Sequence, residues 1–220
     1  MIVALLGDPV SASLSPVMQN AAFAARGLDW TYVALRVRSE DLDDALSGLV
    51  ALGFAGANVT TPHKLDVARL VGADVPSVNT LVMRDGAVHA ASTDAAILTG
   101  LEFTRAAILG DGGAAVAFAE ALPDARRFSR RGDWPPDVAD VDLVVNATSE
   151  REELLVELGP GQTLIDLPYP TTATAREAER RGARVIDGLE VLVAQGAASF
   201  ELWTGVPAPT DVMRATVRTR

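Results

Sequence analysis

Short apolar runs alternate with stretches of helical period along nearly the whole chain. Residues 2–7, IVALLG, read as a first strand, followed by a helix over 15–26. WTYVALRV at 30–37 is a second strand. The helix after it spans 39–53, with Ser39 as N-cap and Gly53 as stop. GANVT at 56–60 is a third strand and leads into a short helix that starts at Pro62, a favoured first helical residue. Residues 77–92 read as a hairpin turning at Asp85-Gly86, and a helix is expected from Asp94.

The alternation then begins again. AAILG at 106–110 is a strand, and a helix follows over 112–122. ARRFS at 125–129 is a weak strand; VDLVVNAT at 141–148 and TLIDL at 163–167 are strong ones. A helix over 172–182, a strand over 183–187 and a helical C-terminal stretch complete the set. Strands alternating with helices imply parallel α/β layers. Two such sets predict an α/β protein of two lobes with a cleft between them as the ligand site. The first lobe is expected over 1–95, completed by 188–220. The second, a reduced Rossmann-like lobe, is expected over 96–187.

Composition narrows the function classes. The chain has 220 residues, 49% hydrophobic and 22% charged, which suits a globular protein with a sizeable core. The net charge of -10 argues against nucleic acid as a partner, because duplex binding needs a basic face. No apolar run reaches the length of a membrane span. The N-terminal segment lacks the basic start of a signal peptide, so a cytoplasmic location is expected. Cysteine is absent, and the two histidines, His63 and His89, suggest no metal cluster.

Two features carry chemistry. Gly110-Asp111-Gly112-Gly113 joins a strand to a helix, the arrangement in which free backbone N–H groups and the helix dipole receive a pyrophosphate. A tight βα turn would use the same glycines, and Asp111 fits a phosphate site only if it points away. Roughly 20 residues on, where a ribose-binding acid is expected, stand Ser129-Arg130-Arg131. Arginines there favour a 2′-phosphate, hence NADP over NAD. The second feature is a set of polar residues after strand ends: Ser13, Ser15, Asn58, Thr60, Lys64, Asn79 and Asp94. Ligands of parallel α/β sheets bind beyond the carboxyl ends of the strands. The chain has only four asparagines, and Lys64, in NVTTPHK, is its only lysine among 19 basic residues. An amine there can release a proton in general acid–base chemistry, whereas a guanidinium stays charged.

These stretches resemble the shikimate dehydrogenase family. GDPVSASLSP, NAAF, GANVTTPHK, SVNT, STD, GDGGAAVA, VVNATS, IDLPY with Thr174, and GLEVLVAQGAASFELWTG occur in the family's order from Gly7 to Gly205. The resemblance implies NADP-dependent interconversion of 3-dehydroshikimate and shikimate, with Lys64 and Asp94 as the catalytic pair. It places the substrate carboxylate on Ser13 and Ser15, with Tyr169, and the substrate hydroxyls on Asn58, Thr60, Asn79, Asp94 and Gln195. It assigns cofactor contacts to Gly110, Gly112, Gly113, Ala114, Arg130, Thr148, Leu167 and Gly188. The sequence is shorter than the family pattern, and most of the deficit falls between Gly110 and Asn146. The adenosine side of the cofactor lobe is therefore expected to lack a strand and helices. A paralogue acting on quinate or an aminated analogue, or a shikimate-binding protein without dinucleotide binding, are the alternatives.

Overall fold

A computed structural model describes residues 1–219. The chain divides into two compact units, Met1–Thr93 with Val193–Arg220, and Asp94–Leu192.

The first unit is built on a five-stranded sheet. Its strands are β1 (Ile2–Gly7), β2 (Thr31–Arg36), β3 (Gly56–Val59), β4 (Thr80–Arg84) and β5 (Ala87–Ala91), in the order β2-β1-β3-β4-β5. β1 runs parallel to β2 and β3, whereas β4 and β5 are antiparallel. The β4–β5 turn is at Asp85-Gly86, both with positive φ (52° and 77°), the pattern of a two-residue hairpin. β1 is a continuous apolar run because it is covered on both faces. Ala4 and Leu6 pack with Leu42, Leu46 and Leu49 of α2 (Leu42–Ala51), and the alternate residues Val3 and Leu5 are buried as well. α1 (Ser15–Ala25) brings Phe23 into a stack with Phe200 of α6 (Gly188–Thr204), ring centroids 5.3 Å apart. α7 (Thr210–Arg218) ends the described chain.

Two expected helix starts move. Ser39 does not cap α2 but opens a 3-10 turn, Ser39–Asp41. Asp41 occupies the cap position of α2 without a side-chain cap bond, because its carboxylate accepts from Arg38 Nε at 2.7 Å. The helix after β3, α3 (Lys64–Leu70), begins at Lys64 rather than Pro62. Pro62 follows a cis peptide inside the turn, and His63 is the cap residue.

The second unit is a parallel five-stranded sheet of β6 (Ala106–Leu109), β7 (Arg126–Phe128), β8 (Leu143–Asn146), β9 (Thr163–Asp166) and β10 (Arg184–Ile186), in the order β10-β9-β8-β6-β7. Its strands also alternate between two cores. Ala107, Leu109, Val144 and Leu164 face one, and Ala106, Ile108, Leu143, Val145 and Ile165 face the other. α4 (Gly113–Ala121) joins β6 to β7, and α5 (Ala173–Arg180) joins β9 to β10. This is a Rossmann-like order with the strand beyond β7 missing. The segment 129–142 contains no helix or strand, as the shortened sequence predicts. The segment from Asp94 forms a 3-10 helix, Asp94–Leu98, rather than an α-helix; a turn with Gly100 at φ 80° follows, too soon for a helical run to propagate. Among the described residues no helix is long and apolar enough to cross a membrane, and no group of three or more His, Asp or Glu could hold a metal ion.

Candidate active site

In the first unit the candidate residues gather at the carboxyl ends of β1 and β3, at the start of β4 and on α6. Ser13 and Ser15 follow β1, where Ser13 Oγ accepts from the Ser15 backbone N–H at 3.2 Å. Thr60 follows β3, with its N–H on Leu6 O (2.8 Å) and its carbonyl receiving the His63 N–H (3.0 Å). That turn delivers Lys64, half-buried, as the first residue of α3. The Lys64 carbonyl accepts from Val78 N at 3.1 Å, fastening the helix start to the segment before β4 that carries Asn79. Beside it, His63 is fully buried, its Nε2 2.7 Å from Val37 O.

Asn58, Asn79 and Gln195 are brought together by a buried polar network. Asn58 Nδ2 donates to Asn79 O (2.9 Å), Thr80 Oγ1 (3.1 Å) and Ser199 Oγ (3.0 Å), and Asn58 Oδ1 accepts from Tyr32 Oη (2.9 Å). Asn79 Oδ1 accepts from the Thr93 N–H (2.8 Å) and from Thr80 Oγ1 (2.9 Å). Asn79 Nδ2 donates to Thr93 Oγ1 (2.9 Å) and reaches Gln195 Oε1 (3.4 Å). Buried polar groups need such partners, and here each supplies another's. Thr93 immediately precedes Asp94, which is itself buried, so the Asn79–Thr93 bonds fix the residue next to the candidate acid. Tyr32, Thr80, Thr93 and Ser199 are absent from the residues that the sequence picks out. The available signal was the spacing of Ser199 four positions after Gln195, one face of α6; Ser199 Oγ donates to Gln195 O at 2.9 Å.

In the second unit the loops after β6, β8 and β9 converge. Gly110 has φ 118°, and a Cβ there would lie 2.9 Å from Ala147 O, so only glycine allows this approach of the two loops. Thr148 follows directly, with its N–H and hydroxyl both donating to Asn146 Oδ1 (3.1 and 2.7 Å). A Cβ on Gly188, at the start of α6, would lie 2.5 Å from Leu167 O, which places those two candidates side by side. Tyr169 is half-buried in the loop after β9.

The glycine turn fits a dinucleotide phosphate. Gly112 caps α4 with no side-chain bond, and a Cβ there would meet nothing within 4 Å, so the first-turn N–H groups of Gly113 and Ala114 are approachable. Asp111 is turned to Arg131, 3.5 Å away, which removes the repulsion expected between the glycines. Arg130 lies over the Trp134 ring, 5.6 Å from its centroid, and pairs with Glu153. Both arginines are exposed and suit an anion such as a 2′-phosphate.

Known proteins resemble this chain in sequence and in fold. The family model described as shikimate dehydrogenase substrate binding domain matches residues 5–81, and that described as shikimate 5'-dehydrogenase C-terminal domain matches residues 188–218. The NADP(+) shikimate dehydrogenase of Moorella thermoacetica is 41% identical, covering 99% of this chain and 92% of its own length. That alignment runs over 272 positions, more than the 220 residues of this chain. The enzyme of Anaeromyxobacter dehalogenans, with the same name, is 38% identical over 96% of this chain and 94% of its own. The structure of shikimate 5-dehydrogenase from Thermus thermophilus, solved with NADP(H) and shikimate, is 29% identical with a TM-score of 0.87, covering 100% of this chain and 99% of its own. With its motif order, its two sheets and near-full-length relatives in accord, this chain belongs to the shikimate dehydrogenase family.

Proposed function

We propose that the chain interconverts shikimate and 3-dehydroshikimate, with NADP as the partner that accepts or returns the hydride. Lys64 Nζ takes the proton of the reacting hydroxyl as the alcohol is oxidised and returns it in reduction. Asp94 accepts a hydrogen bond from the neighbouring hydroxyl and so holds the ring in register with Lys64. Ser13 and Ser15, with Tyr169, donate to the substrate carboxylate. Thr60, Asn79 and Gln195 hold the remaining hydroxyls. Asn58 contributes through Oδ1 only, since its amide nitrogen already faces three protein acceptors. On the cofactor side the α4 N-terminus, Thr148, Leu167 and Gly188 cradle the dinucleotide, and Arg130 takes the 2′-phosphate.

The observation that carries this reading is the single lysine, set at the start of α3 beside the buried Asn58–Asn79 network. Lys64→Ala is expected to lower kcat by about 10²–10⁴-fold, the usual worth of a positioned acid–base group, while shikimate affinity stays within several-fold. Lys64→Arg is not expected to restore turnover, because guanidinium does not release its proton. Near-normal turnover in either variant would refute the assignment. Separate titrations of the wild-type protein with NADPH, NADH and shikimate test the cofactor. Absence of NADPH binding at millimolar concentration would leave a shikimate-binding protein instead.

A further inference from the structure

We infer that Asp166 is a positioning residue for the cofactor side of the site, acting through Asn146 on Thr148 and, separately, through Thr172 on the loop that carries Leu167 and Tyr169. The inference rests on the proposed NADP-dependent function.

Asp166 is the last residue of β9 and is only 1% exposed. Its two carboxylate oxygens divide between two loops. Oδ1 accepts from Asn146 Nδ2 at 2.7 Å, at the end of the neighbouring strand β8. That fixes which way the Asn146 carboxamide points, so that its oxygen receives both the N–H and the hydroxyl of Thr148. With the carboxamide turned over, Asn146 would present a donor to two donors. Oδ2 accepts from Thr172 Oγ1 at 2.8 Å, and that hydroxyl oxygen caps α5 by accepting from Ala175 N at 3.0 Å. The Leu167 N–H meanwhile bonds to Asn146 O at 3.0 Å. One carboxylate thus sets both ends of the 167–172 loop and the orientation of Thr148. Asn146 and Thr172 are fully buried, so no water stands in for a missing partner at low cost.

The site holds this carboxylate against a cost. Burial, opposed by the bonds from Asn146 and Thr172, raises the Asp166 carboxyl above its ordinary value.

The full chain is tested as Asp166→Asn, Asp166→Ser and Thr172→Val. Asparagine keeps an oxygen toward Asn146 and a donor toward Thr172, whereas serine is too short to reach Asn146. NADPH binding is read by fluorescence titration, shikimate binding separately, and folding by thermal denaturation. Asp166→Ser is expected to raise the NADPH Kd by about tenfold, the scale of one charge-assisted bond, and KM for NADP⁺ in parallel. Its shikimate Kd stays near that of wild type. Asp166→Asn is expected to retain NADPH affinity within about threefold. Thr172→Val, which leaves the Asn146 arm intact, is expected to lower Tm and to raise the NADPH Kd by a smaller factor, within about threefold. Folded Asp166→Ser that binds NADPH like wild type would overturn the inference, as would Asp166→Asn that loses as much affinity as serine. Failure of the wild-type protein to bind NADPH would overturn the proposed function instead.

Discussion

Ser199 Oγ accepts a hydrogen bond from Asn58 Nδ2 at 3.0 Å across 141 positions of sequence. The same oxygen lies 2.8 Å from Thr80 Oγ1 and 3.1 Å from Thr93 Oγ1. A serine on α6 is therefore the junction of the polar network beneath Asn58 and Asn79. Loss of its hydroxyl leaves buried donors with fewer partners, though Asn58 keeps two. Ser199→Ala is expected to cost about 1 kcal/mol of stability in chemical denaturation. It should also raise KM for shikimate several-fold while KM for NADP⁺ holds. Unchanged shikimate kinetics together with lost stability would make the network purely structural.

Gly110 decides how closely the loops after β6 and β8 approach. Gly110→Ala would put a Cβ 2.9 Å from Ala147 O at φ 118°. Strain at such a backbone position costs about 1–3 kcal/mol. A lower Tm and weaker NADPH binding are expected together, with shikimate binding unaffected. Wild-type NADPH affinity in a folded variant would show that this approach does not shape the cofactor site.

Asp166 gives a pH signature with a defined sign. Burial lifts its native carboxyl above the ordinary 3.8 of an exposed aspartate. The folded state then holds the proton more tightly than the unfolded state. Its contribution to stability is fully present below 3.8 and is lost as pH rises through the higher native value. Asp166→Asn does not titrate. The stability difference between Asp166→Asn and wild type should therefore move in favour of asparagine as pH rises from strongly acid to neutral. Denaturation midpoints of both proteins over that range check it, and an opposite slope would contradict the assigned burial effect. Glu150 has the reverse sign: backbone N–H bonds from Glu152 and Glu153, with a smaller one from Arg151, lower its carboxyl, so its contribution falls as pH falls.

The sequence by itself determined the order of strands and helices, the hairpin at Asp85-Gly86, the parallel character of the second sheet and the absent βα unit after β7. Periodicity, turn residues and chain length are local or additive, and they survive without knowledge of the fold. It also singled out Lys64, by rarity and motif rather than by geometry. Tertiary structure decided which polar groups face one another. Asp41 was available as a cap until Arg38 took its carboxylate, and α3 starts at Lys64 because the preceding residues form the turn in which the His63 N–H bonds to Thr60 O. Ser199 and Asp166 stand inside the motif stretches GLEVLVAQGAASFELWTG and IDLPY, which give neither of them a role. Their roles come from partners on other elements, and a buried hydrogen bond is specified by packing across the chain, where spacing along it carries no record of the pairing.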